Sequence, residues 1–217
     1  MTANTSADRR MLDRMIFFSD AVFAFALLLL AADIRLPDAI DDANIWAELS
    51  VLAPQFASFL ISFGLASLWW AVHLSATREL VAFDWPTALC NLLFLLCIVL
   101  LPFAADAFGA NMIANAPLGL YWCVNAAASA AMTLLFFVMS RDKGRLIGGM
   151  GWGQRLLHLG QAAAPGVVFA LGAYWAFTGQ IWLSRFCCVL LAPIMMILGV
   201  LAGMLDRRRQ RPSAANA

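Results

Sequence analysis

Arg14-Met15-Ile16-Phe17-Phe18-Ser19-Asp20-Ala21-Val22-Phe23-Ala24-Phe25-Ala26 is continued by Leu27, Leu28, Leu29 and Leu30 and closed by Asp33-Ile34-Arg35-Leu36-Pro37. The reading of this stretch decides the fold class. Residues 15–34 are long and apolar enough to cross a bilayer, which takes about 20 residues. Yet an arginine, a serine and an aspartate stand at the entrance of the span. Ionisable groups at such depth are costly unless they are paired or wetted, so they point to a structural network or a polar pathway.

The rest of the chain repeats the apolar theme. Of its 217 residues, 63% are hydrophobic and 12% charged, far more apolar surface than a soluble domain of this size needs. Further apolar stretches fall at 51–74, 86–108, 116–139, 157–177 and 183–205. They predict an all-α polytopic membrane protein with six transmembrane helices, since a β-barrel would show short alternating segments instead. The organisation expected is a cytoplasmic N-terminus (1–14), a six-helix domain (15–205) and a basic tail (206–217). The fifth span is the weakest, broken by Pro165 and several glycines. The N-terminus imitates a secretory signal, but Ser19-Asp20 interrupts its apolar run and more spans follow, so the first helix is expected to be retained.

Lys and Arg set the orientation. Arg9, Arg10, Arg14, Arg78, Arg141, Lys143, Arg145, Arg155, Arg207, Arg208, Arg209 and Arg211 fall on one side, and only Arg35 and Arg185 on the other. Both termini are therefore expected in the cytoplasm, which requires an even number of spans.

Several functions lose their footing here. Net charge is +1, which gives no argument for nucleic acid. Cys90, Cys97, Cys123, Cys187 and Cys188 lie in apolar stretches, form no C-x-x-C, and read as buried thiols. His73 and His158 have no Cys or Glu cluster around them, so no metal or other cofactor is expected. The glycines of 148–153 lack the Lys-Ser/Thr that a phosphate-binding loop requires. No nucleophile–base arrangement and no room for a soluble catalytic domain are visible, so an enzyme is not expected. No repeat divides the chain into halves, which argues against an inverted-repeat transporter.

Two constellations remain. Arg14, Ser19 and Asp20 share a membrane depth with Trp70 and His73 near the end of the second span and with Asn91 near the start of the third. That common depth predicts a packed polar network in which Asp20 and Arg14 take part; the bland alternative is an interfacial helix start. Phe25, Leu28, Leu29 and Ala32 follow i, i+3, i+4, i+7 spacing on one helix face. Ordinary packing explains such a face, and so does a narrow apolar pore lining that gates by dewetting. The carbonyl filter sequence of common potassium channels is absent.

Arg14-x-x-x-Phe18-Ser19-Asp20 with Ala-Val-Phe-Ala and Asp33-Ile-Arg-Leu-Pro37 resembles the first helix of the transmembrane protein 175 family. Ser62-Phe63 with Trp70-x-x-His73, and Asn91-Leu-Leu with Leu101-Pro-Phe103, resemble its second and third helices. The resemblance covers residues 14–103. It implies a homotetramer of six-helix subunits in a bacterial-type inner membrane. The first helices would line a central pore for potassium or other monovalent cations, with protons as an alternative. It also implies that Arg14, Phe18, Ser19, Asp20, Trp70, His73 and Asn91 form a structural network. In the family an apolar residue, usually Ile, forms the constriction, and Phe25 occupies that position. One turn later the family usually has a Thr linked to potassium preference; Leu28 stands there and offers no hydroxyl. The competing classes are a proton-coupled small transporter using Asp20 or Asp33 and a non-conducting structural membrane protein.

The basic-residue asymmetry is directly testable. A cysteine engineered into the tail should be labelled by an impermeant reagent only after the cells are permeabilised. Labelling of intact spheroplasts overturns the orientation.

Overall fold

Each long helix begins and ends where its sequence supplies a reason. Asp84 is the N-cap of one of them, its Oδ1 accepting from the Thr87 backbone N–H at 2.9 Å. Pro86 then occupies the first turn, where its missing N–H costs nothing. The turn at Thr178-Gly179-Gln180 places Gly179 at φ +83°, a conformation that glycine adopts without a Cβ penalty.

The computed structural model describes residues 5–32, 34, 45–141, 145–147 and 151–187. The helices are α1 (Thr5–Ala32), α2 (Ile45–Val51), α3 (Ala53–Thr77), α4 (Trp85–Ala110), α5 (Asn115–Met139) and α6 (Trp152–Phe177), with a 3₁₀ turn at Arg145–Ile147. Residues 181–187 are helical again. Five of these helices, α1 and α3 to α6, are long and apolar enough to cross a membrane, and the described residues contain no strand. Most of the expected sixth span and the basic tail lie outside the described residues, as does most of the loop between α1 and α2.

Three differences from the sequence reading have simple causes. α1 starts at Thr5, about three turns before the apolar run, because nothing in Ser6–Arg14 stops a helix. The loop after α1 contains the short α2, separated from α3 at Leu52 and followed by Pro54 in the first turn of α3. α6 runs unbroken through Pro165. A proline costs the helix only the one bond to the carbonyl four residues back, that of Gln161, and the same turn is tied to the neighbouring helix, since Ser129 Oγ donates to the Ala162 carbonyl at 2.7 Å.

α4 packs against α1, α3 and α5; α5 packs against α6; α1 also touches α3. The α5–α6 contact is close because small residues meet. A Cβ on Gly166 would stand 2.8 Å from Ser129 Oγ, and one on Gly172 would stand 3.1 Å from the Trp122 ring. Small residues at such a contact let helices approach in lipid, where dispersion and hydrogen bonds replace the hydrophobic effect. Trp122 Nε1 donates to Ser184 Oγ at 3.0 Å, and that hydroxyl donates to the Gly172 carbonyl at 2.8 Å. At the other end of the bundle Asp84 Oδ2 accepts from Arg141 Nη2 at 3.1 Å, tying the end of α5 to the start of α4.

In its most apolar window α1 is 22% buried, against 56% for α4 and for α5. The middle of the bundle is therefore the scaffold, and α1 lies on its flank.

Gly166→Ala should destabilise the protein by about 1–3 kcal/mol, the usual cost of overpacking a filled contact. Gly160, whose Cβ would meet open space, is the control. Size-exclusion chromatography after heating checks this: Gly166→Ala should lose its monodisperse peak at lower temperature, while Gly160→Ala should not.

Candidate functional site

α1 has two faces, and burial separates them cleanly. Leu12, Ser19, Phe23, Ala26 and Leu30 are buried against the bundle. Met11, Arg14, Phe18, Ala21, Phe25, Leu28 and Ala32 are all exposed, and successive members are three and four residues apart. Phe25 is 68% exposed and Leu28 64%, while Phe23, two residues away, is 1% exposed. Leu29 lies on the edge of the same free face.

The buried face is held by a chain of hydrogen bonds through three helices. Ser19 Oγ donates to the Met15 carbonyl at 2.9 Å. Asn91 Nδ2, from α4, donates to Ser19 Oγ at 2.9 Å. Asn91 Oδ1 lies 2.7 Å from His73 Nε2, from α3. The directions close in one way. The Ser19 proton is committed to the Met15 carbonyl, so Ser19 can only accept from Asn91. The Asn91 amide nitrogen must therefore face Ser19 and its oxygen must face His73, which makes His73 the Nε2–H tautomer. All three side chains are buried. The chain leaves neither Asn91 nor Ser19 without a partner, as a buried polar group in this setting requires.

Aromatic rings box the imidazole in. His73 stacks on Phe94 at 5.5 Å with an interplanar angle of 8°, and Phe23 of α1 stands 5.8 Å from His73 and 6.0 Å from Phe94. One turn before His73, Trp69 Nε1 donates to Asn125 Oδ1 of α5 at 3.2 Å. Phe23, Phe94 and Asn125 were not singled out in the sequence. Asn125 carried the one available signal, an amide in the middle of an apolar span.

Asp20 is placed on the rim of this cluster rather than in it. Its Oδ1 accepts from Trp70 Nε1 at 3.0 Å, and Trp70 is partly exposed. The expected contact between Asp20 and Arg14 does not form among the described residues. Six residues along a helix are separated by about 120° around the axis and about 9 Å along it, too far for a pair. Arg14 instead heads the exposed stripe with Phe18. Asp33, named for the transporter alternative, lies outside the described residues. Among those residues no group of His, Cys, Asp or Glu has the arrangement of a metal site.

Fold and site together define a multi-span α-helical membrane protein whose first helix is pinned by one face and bare on the other. The family model for the endosomal/lysosomal potassium channel TMEM175 matches residues 14–102, the segment that holds this site. A potassium channel of Streptomyces collinus is 26% identical over 132 residues, 59% of this chain and 64% of that protein. A potassium channel of a Chryseobacterium species is 24% identical over 131 residues, 60% of this chain and 66% of that protein. The match thus spans just under two thirds of each curated relative. The fold matches the crystal structure of a lysosomal potassium-selective channel TMEM175 homolog from Chamaesiphon minutus, with a TM-score of 0.73 at 21% identity over 87% of this chain and 97% of the other. It also matches a variant of the potassium channel MtTMEM175 bound to a nanobody–MBP fusion, with a TM-score of 0.65 at 18% identity over 88% of this chain and 93% of that one. Residues 14–102 thus match the TMEM175 family model, and the chain is similar in sequence to bacterial potassium channels and in fold to bacterial TMEM175 homologs.

Asn91→Leu should cost about 1–3 kcal/mol, because it strands the buried His73 donor and empties the bridge to Ser19. Asp20→Ala loses a single bond on a partly exposed rim and should cost less than about 1 kcal/mol in the protomer. Thermal midpoints of the purified proteins in detergent rank the two. Equal midpoints for Asn91→Leu and the parent would show that the bridge does not hold α1.

Proposed function

We propose that this chain is the subunit of a homotetrameric cation channel of the inner membrane, with potassium as a permeant ion and with α1 lining the pore. The observation that carries the reading is the free stripe of α1. Its three-and-four spacing averages 3.5 residues, the period at which identical helices supercoil around a common axis. The names of the two curated relatives support potassium as the ion. The basic-residue asymmetry supports cytoplasmic termini, and on this reading residues 15–205 form the channel domain, with residues 1–14 and the tail from 206 on the cytoplasmic side.

On this reading each side chain has a task. Phe25 forms the narrowest ring, Leu28 extends it, and Leu29 and Ala32 complete the apolar lining. A ring of such side chains gives an ion nothing in exchange for its hydration shell, so it closes by excluding water. The Ser19–Asn91–His73 chain fixes the rotation of α1, so that Phe25 rather than Phe23 points at the axis. Trp70 and Asp20 brace the same end from the rim. Arg14 and Phe18 stand on the free stripe at the cytoplasmic mouth, where a copy of the chain can meet them.

The test is flux in liposomes carrying the reconstituted protein. Phe25→Ala should raise passive cation leak several-fold. Leu28→Thr should raise the potassium-to-sodium ratio, because a hydroxyl then stands in for lost water. Flux that saturates and is stimulated by counter-substrate would point to a transporter instead. Absence of flux for every monovalent ion in the parent and in Phe25→Ala, with normal assembly, would leave a structural protein and sink the channel reading.

A further inference from the structure

Among the arginines whose side chains are described, Arg155 is the one left unanswered. It stands in the first turn of α6, half-buried, with its guanidinium 5.1 Å from the Phe137 ring centroid and 5.7 Å from that of Trp152. Its Nε is shut off from solvent and has no hydrogen-bond partner. The guanidinium forms no ion pair with any described residue. The other described arginines differ. Arg141, at the same end of the bundle, donates to the Asp84 carboxylate and to the Val138 carbonyl. Arg185, at the opposite end and also over a tryptophan, donates to the Met112 carbonyl at 2.7 Å. Arg9, Arg10, Arg14 and Arg78 are exposed and can be hydrated.

Two rings hold the Arg155 fork in place but do not satisfy it. Cation–π contact rewards the charge above the ring face. It offers no acceptor in the guanidinium plane, where the N–H groups point. No described residue accepts from this fork, and its two terminal nitrogens, at the end of a half-buried side chain whose Nε is enclosed, are the ones that an external oxyanion can reach. The position names the source. Trp152 is 70% exposed at the very start of a membrane helix, the depth at which indoles sit among headgroups. A phosphate diester at that depth has the charge and the oxygen spacing that a guanidinium grips with two parallel bonds. The start of α6 adds its own positive partial charge.

We propose that Arg155, clamped between Phe137 and Trp152, binds the phosphate of an anionic phospholipid in the adjacent leaflet. The site lies on the flank of α5 and α6, away from the free face of α1, and does not depend on whether the chain conducts.

Native mass spectrometry of the full-length, delipidated protein tests it, with phosphatidylglycerol, phosphatidylcholine and inorganic phosphate as probes. Phosphatidylglycerol should bind in preference to phosphatidylcholine. Arg155→Gln should weaken that binding about fivefold, the effect of one basic residue at an anionic surface. Arg78→Gln, an exposed charge at the same end, should leave it unchanged. If Arg155→Gln does not fold, Trp152→Leu carries the test: it keeps the charge, removes one ring of the clamp, and should weaken phosphatidylglycerol binding while Arg78→Gln does not. Equal loss in the Arg155 and Arg78 variants would mean diffuse attraction and overturn the site. So would no loss in either Arg155→Gln or Trp152→Leu, equal binding of phosphatidylcholine, or inorganic phosphate displacing the lipid.

Discussion

The amide of Asn91 is the constraint on which the arrangement of α1 depends. It is the one side chain of α4 in the described site that hydrogen-bonds to α1 and α3 at once, donating to Ser19 of α1 and accepting from His73 of α3. In lipid no water competes for these groups, and an unmade bond is expensive. The amide therefore specifies more than it stabilises. Apolar contacts alone would let α1 rotate or slide, because both of its faces are greasy. A directional donor–acceptor chain admits one rotation and one height.

From that pin the packing runs inward through rings. Phe23 leads to His73 and Phe94, Phe94 to Trp69, Trp69 to Phe169 of α6, and Phe169 to Trp122 of α5, with centroids 5.5–6.3 Å apart along the path. The α5–α6 pair, drawn close by Gly166 and Gly172, supplies the rigid end of this path. Rings at such separations pack favourably edge to face or offset. The fold thus divides its labour: α4 to α6 hold shape, while α1 is mounted on α3 and α4 by the Ser19–Asn91 and Asp20–Trp70 hydrogen bonds, the Phe23 ring contacts and the buried Leu12, Ala26 and Leu30.

Much of the site was legible in the sequence, because polar residues in apolar spans are expensive and so mark themselves. Ser19, Asp20, Trp70, His73 and Asn91 could be placed at one depth from span boundaries alone. Their pairing could not, since it depends on how the helices are docked; the separation of Arg14 from Asp20, about 120° around the axis and about 9 Å along it, follows from helix geometry alone. The two faces of α1 were less legible for a reason specific to membranes. In water a buried face is apolar and an exposed one polar. Here Phe23 and Phe25 are chemically identical, one buried and one bare, and no hydrophobicity pattern tells them apart. The glycine contacts of α6 were misread as weakness for a related reason: Gly and Pro weaken an isolated helix, but between packed helices they buy proximity.

On the channel reading this mounting restricts how a pore could open. A turn of α1 by one residue, about 100°, would swing Phe25 off the axis. It would also carry Ser19 away from Asn91 and bring Phe23 out of its box. The polar link and the ring contact both oppose that turn, and they act at the same end of the helix. The opposite end has weaker ties: Leu30 is buried, but beyond Phe23 no side-chain hydrogen bond joins the described part of α1 to its neighbours. Opening by a tilt of the leucine end, or by a change of the Phe25 rotamer, breaks no side-chain hydrogen bond among the described residues, although the tilt costs the packing of Ala26 and Leu30. The pinned end and the constriction are thus separable parts of one helix. Changes at Asn91 or His73 bear on whether α1 is placed at all, and on the proposed reading changes at Phe25 or Leu28 bear on what passes once it is.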